Sequence, residues 1–166
     1  KDQKIIKSKE LSKNIIVVVK EGRKIILSPA KGGKNKRLYF FFGYKNSDYY
    51  TTLVKRYGDE KKADESIKKD ERMMKSEQRE LEDDVVKSAL AGYTVIYDQS
   101  GTLEDLREAF YSNETVGVYW SGHGYADGKL QSSDGRAISA DDFDKNMIGG
   151  SCQFFVAAAC HSQLQQ

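Results

Sequence analysis

Leu38-Tyr39-Phe40-Phe41-Phe42 is a run of five apolar residues in which neither face of an extended segment is fit for water. A run without in–out alternation belongs to a strand covered on both sides, as in a parallel sheet sandwiched by helices. The strand is expected over Arg37–Gly43. Residues 93–97, 115–120 and 153–159 have the same character and are expected to be three further strands.

What separates these strands supports the same architecture. Residues 59–91 are densely charged, with Ile67, Met74 and Leu81 seven apart, the stripe of a long amphipathic helix, and Gly92 is a suitable stop. Thr102, with Asp105 three residues on, has the form of a capping box opening a helix through Leu103, Leu106 and Phe110. Residues 121–133 read as a Gly-rich polar loop, and Ser139 or Ala140 is expected to open a short helical segment through Phe143 and Met147. Strands alternating with helices give an α/β fold around a mainly parallel sheet. At the N-terminus, residues 14–20 and 23–28 are β-branched runs joined by Glu21-Gly22, expected to form a β-hairpin.

The chain of 166 residues is long enough for one sizeable core. Two segments are expected: 1–36, a basic arm with the hairpin packed on the core, and 37–166, the core itself. Residues 1–37 hold twelve Lys/Arg against three Asp/Glu, although the whole chain has a net charge of only +2. Such an arm suits nucleic acid or another polyanion, or else a hairpin whose lysines keep a sheet edge soluble. The apolar Ile15–Val19 and Ile25–Leu27 stretches favour the hairpin, so nucleic acid is not the expected partner. No apolar run approaches the ~20 residues of a membrane span. The first residue is Lys1, so the natural start is expected to lie elsewhere.

In an open parallel sheet, ligand sites gather beyond the carboxyl ends of the strands. His123 follows the third strand and Cys160 closes the fourth. A thiol has a pKa of ~8.5 and is activated by an adjacent imidazole, which afterwards protonates the departing amine. Glycines flank His123 in Trp120-Ser121-Gly122-His123-Gly124, and the N–H groups of Gly124 and Cys160 are candidate oxyanion donors. His161, next to Cys160, belongs to the opposite strand face and is not the expected base. A zinc site is not expected, because short ligand spacings such as Cys-x-x-Cys are missing. Cys152 and Cys160 stand at two ends of a strand, too far apart for a disulfide, which suits a cytoplasmic or other reducing compartment.

Val118-Tyr119-Trp120-Ser121-Gly122-His123-Gly124 resembles the strand-Ser-Gly-His-Gly signature of caspases and metacaspases. Ala157-Ala158-Ala159-Cys160-His161-Ser162 resembles their strand-end cysteine signature, its Cys-His-Ser wording being closest to metacaspases. The resemblance covers roughly residues 37–162 and extends to more distant members of the caspase-haemoglobinase superfamily. It implies a caspase-like three-layer sandwich and a cysteine endopeptidase that cleaves polypeptides through a thioester acyl-enzyme, with no cofactor in the chemical step. It leaves calcium or polyanion activation open. The alternative is an inert caspase-like interaction domain with vestigial catalytic residues. Metacaspases carry an acid two residues before the nucleophile for a basic P1 side chain (the residue whose carbonyl is attacked); here Ala158 stands there, and Asp48 after the first strand is the substitute candidate. Gln163 replaces a common glycine, and further strands would come from a missing C-terminal segment or a partner chain. An effector or toxin module of a longer polypeptide suits these features.

Overall fold

The computed structural model describes residues 16–160, with the side chain of Cys160 outside the description. The hairpin is β1 (Ile16–Glu21) paired antiparallel with β2 (Lys24–Pro29). Its turn lies one residue later than expected, at Gly22-Arg23, because the positive φ of 59° falls on Gly22. β3 (Arg37–Gly43) has the expected bounds. A single 3-10 turn, Ser47–Tyr49, then leads into α1 (Tyr50–Tyr57). α2 (Glu60–Leu90) is the long charged helix; the Asp59 side chain caps it by accepting from the Lys61 and Lys62 N–H groups.

β4 (Thr94–Asp98) follows, then α3 (Leu103–Tyr111), opened by a complete capping box between Thr102 and Asp105. β5 (Thr115–His123) is three residues longer than expected. Beyond it, β6 (Leu130–Gln131) and β7 (Ala137–Ile138) make a small antiparallel pair, β6 within the expected loop of residues 121–133 and β7 just after it. The expected helical segment through Phe143 and Met147 is only a 3-10 turn, Ala140–Asp142: the Asp142 side chain bonds back to the Ser139 N–H, and Phe143 is already extended. β8 (Phe154–Cys160) is the last element.

The large sheet has the order β1-β2-β4-β3-β5-β8. β4, β3, β5 and β8 are parallel, and the hairpin joins antiparallel along β4. Alternation splits β3 between the faces. Phe40 and Phe42 join Met74, Leu81, Val85 and Ala89 of α2 on one side, whereas Tyr39 and Phe41 join Leu106 and Ala109 of α3 with Val118 and Trp120 on the other. The described residues thus form an α/β fold, a mostly parallel six-stranded mixed sheet with three helices. No helix among the described residues is long and apolar enough to cross a membrane, since α2 has the length but is densely charged.

The hairpin is part of this core as far as it is described. Ile16, Ile25 and Leu27 are buried in the α2-side cluster. Residues 1–15 of the expected basic arm lie outside the described residues. Deleting residues 1–29 removes three buried aliphatic side chains and bares the backbone of β4 as a new edge. Aggregation, or loss of the cooperative thermal transition, is the expected outcome in light scattering and circular dichroism. An unchanged, cooperative melt would show that the hairpin is dispensable.

Candidate active site

His123 is the final residue of β5 and not a loop residue. Two ladders carry the strand this far: Gly43 pairs with Gly122 on one side, and Cys160 with His123 on the other. The approach is close on the α3 side, where a Cβ on Gly43 would lie 2.2 Å from Trp120 Cζ2. Alternation sends Ser121 and His123 to the opposite face, toward α2.

There the imidazole meets Asp70. His123 Nε2 lies 2.9 Å from Asp70 Oδ1, and the two side chains are only 5% and 3% exposed. The other carboxylate oxygen, Oδ2, accepts the Lys45 backbone N–H at 2.8 Å. An ionised carboxylate only accepts, so Nε2 carries the hydrogen it donates to Asp70. A neutral ring then has its lone pair on Nδ1, which is buried and has no hydrogen-bond partner among the described residues. The Tyr44 ring stands edge-on to the imidazole with centroids 5.5 Å apart.

A second polar chain runs beside the first. The Tyr44 hydroxyl lies 3.1 Å from Ser121 Oγ, which donates to Glu77 Oε1 at 3.2 Å. Burial pushes the Tyr44 hydroxyl up to about 12, so it stays protonated and serves as the donor to Ser121.

Cys160 ends β8 as the register partner of His123. Neighbouring strands are ~4.8 Å apart, so the two α-carbons stand side by side at the carboxyl edge of the sheet. His161 lies outside the described residues. Cys152 precedes β8 at the other end; its thiol donates to the Phe154 carbonyl at 3.3 Å, and burial pushes its pKa up. Residues 153–159 lie between the two cysteines, all but the first of them in β8, and at ~3.3 Å per residue that distance is far beyond disulfide reach.

Gly124 follows directly and bridges antiparallel to Leu130. The adjacent Tyr125 N–H bonds to the Lys129 carbonyl at 2.8 Å, which makes Gly124–Leu130 a non-hydrogen-bonded pair and turns the Gly124 N–H away from β6. Asp48 is not brought to this group. It sits in the 3-10 turn with its carboxylate on Arg23 (Nε to Oδ2, 2.5 Å) and lines a separate cavity with Asp98 and Asp105. Among the described residues, no three His, Cys, Asp or Glu side chains gather as a metal-binding group.

The motifs single out His123 and Cys160 but not Asp70, Tyr44 or Glu77. Asp70 leaves one sequence signal: it occupies the apolar stripe of α2, where Ile67, Asp70, Met74 and Leu81 are all buried. A carboxylate in that stripe must have a partner inside the fold. Comparison with protein-family models, with curated proteins and with solved structures finds no match to this chain.

Proposed function

We propose that this protein is a cysteine endopeptidase of the caspase/metacaspase kind, with Cys160 as nucleophile, His123 as acid–base partner and Asp70 as the group that orients the imidazole. The observation that carries this reading is the buried Asp70–His123 pair, with Nδ1 left over, at the register position of Cys160. Such a pair fixes the ring and its tautomer, and supports the imidazolium that forms when the thiol proton arrives.

On this reading His123 Nδ1 takes the Cys160 proton, and the thiolate attacks the scissile carbonyl carbon. The oxyanion draws on the N–H groups of Gly124 and Cys160. The imidazolium then gives its proton to the leaving amine as the C–N bond breaks, leaving a thioester. Water, deprotonated by the same imidazole, releases the acid and regenerates the thiol. No metal enters any of these steps.

Labelling with a thiol-reactive peptide electrophile tests the reading. Cys160 is expected to react selectively at neutral pH and to lose that reactivity in His123→Ala, while Cys152, its pKa raised by burial, reacts slowly. Equal labelling of both cysteines, indifferent to His123, would instead support a non-catalytic interaction domain.

A further inference from the structure

The α3 side of the sheet is incompletely covered. The segment through Phe143 and Met147, expected as a second helix there, holds only the 3-10 turn Ala140–Asp142. Between this segment, α3 and β8 a cavity of about 440 Å³ opens, a volume that suits a small-molecule ligand. It reaches from Phe155, near the start of β8, to Gly128 in the turn beyond β5.

β8 forms its floor. Alternation turns Phe155 and Ala157 to this face, and the single methyl of Ala157 leaves the floor low. One wall is aromatic. Phe110 stands edge-on to both Phe143 and Phe155, with ring centroids 5.5 and 5.3 Å apart. Rings that brace one another in this way do not fold into the gap, so the cavity is held open. Phe155 nevertheless remains 45% exposed and Ile148 44% exposed. A guest with an apolar body removes that surface from water.

Charge defines the guest's other end. Lys145 is the single charged side chain of the lining among the described residues. No acid pairs with it there. The neighbouring Asp144 carboxylate accepts the Asn146 N–H instead. An ammonium without an acidic partner, at an otherwise apolar trough, is complementary to a long hydrocarbon with one anionic end.

We infer that this cavity binds an unbranched aliphatic carboxylate, its hydrocarbon lying along β8 beside the phenylalanine rings and its carboxylate meeting Lys145. The inference is independent of the peptidase reading, because the cavity is on the α3 side of the sheet whereas His123 and Asp70 meet on the α2 side.

Titration calorimetry on the full chain tests it, with every probe kept below its micelle concentration. Hexanoate, octanoate and decanoate are expected to bind with one-to-one stoichiometry, roughly fourfold tighter for each added methylene. Octanoate is expected to bind about three- to tenfold tighter than octylammonium, the modest worth of an exposed charge contact. Lys145→Glu lies on the surface and is expected to reverse that preference. Ala157→Phe fills the floor and is expected to weaken every probe at least ~10-fold, with a thermal melt like that of the wild type. No saturable binding of decanoate at about 1 mM overturns the site. So does an affinity indifferent to chain length or to Ala157→Phe in the folded variant. A carboxylate preference that survives Lys145→Glu overturns the assignment of the anionic end.

Discussion

Alanine at Cys160 or at His123 is expected to remove nearly all cleavage, a loss of at least ~10³-fold in kcat, and alanine at both is expected to cost no more than either alone. Thiol and imidazole act as one unit, so the second deletion has nothing left to remove. Asp70→Asn extends the same experiment. The amide oxygen can still accept the Lys45 N–H, so the fold is expected to survive. Toward His123, however, an amide that donates its N–H to Nε2 moves the ring hydrogen to Nδ1, the atom that should receive the thiol proton. Loss of the negative charge also leaves the imidazolium unsupported. A fall in kcat on the order of 10²–10⁴ is therefore expected, comparable to the loss of the orienting carboxylate in a serine triad. A merely structural Asp70 would lower the yield of folded protein and leave the kcat of the folded fraction unchanged. Full activity in Cys160→Ala, or its loss in a folded Cys152→Ala, would show that the wrong thiol was chosen.

The parts of the fold that were legible beforehand are those in which one residue type dominates a segment. β3 is apolar throughout, and α2 keeps its stripe from Ile67 to Leu81 through a dense charge run. The Thr102–Asp105 cap is local chemistry, complete within four residues. What was hidden depends on partners far away in the chain. Tyr50-Thr51-Thr52-Leu53-Val54 favours extended backbone by propensity, yet it is helical because Leu53 packs into a cluster with Ala63 and Ile67 of α2. Ser121-Gly122-His123 has the composition of a loop; it is strand because β3 and β8 flank it on both sides. The candidate site shows the same division. His123 and Cys160 stand out in short motifs, whereas Asp70 is 53 residues from His123 in sequence and joins it only when α2 lies across the sheet. The sequence trace of Asp70 is a polar residue in an apolar helical stripe, and Gln78, bonded to Gln99, leaves the same trace without belonging to the pair.

The largest pH effect on stability is expected from the opposite face. Asp98 ends β4, only 1% exposed; its Oδ1 accepts the Ser100 N–H, and its Oδ2 is buried with no hydrogen-bond partner among the described residues. Burial, and next the nearby Asp105 carboxylate, raise its pKa from 3.8 to about 7, with Lys24 and the Ser100 N–H acting in the other direction. The folded state thus holds a proton that the unfolded chain releases near pH 4. Between about pH 4 and pH 7 the folded form binds more protons, so this group's contribution to stability is full below the unfolded value and is lost as pH rises through the folded one. Three pH units of displacement correspond to a loss of up to ~4 kcal/mol across that window. Asp98→Asn keeps an oxygen for the Ser100 N–H and cannot ionise. It is expected to unfold at higher urea concentration than the wild type at pH 8, by ~1–3 kcal/mol, and to lie close to it at pH 4.5, where both side chains are neutral. Parallel stability curves for the two proteins from pH 4.5 to pH 8 would show that Asp98 is already ionised in the fold and that Lys24 alone compensates it.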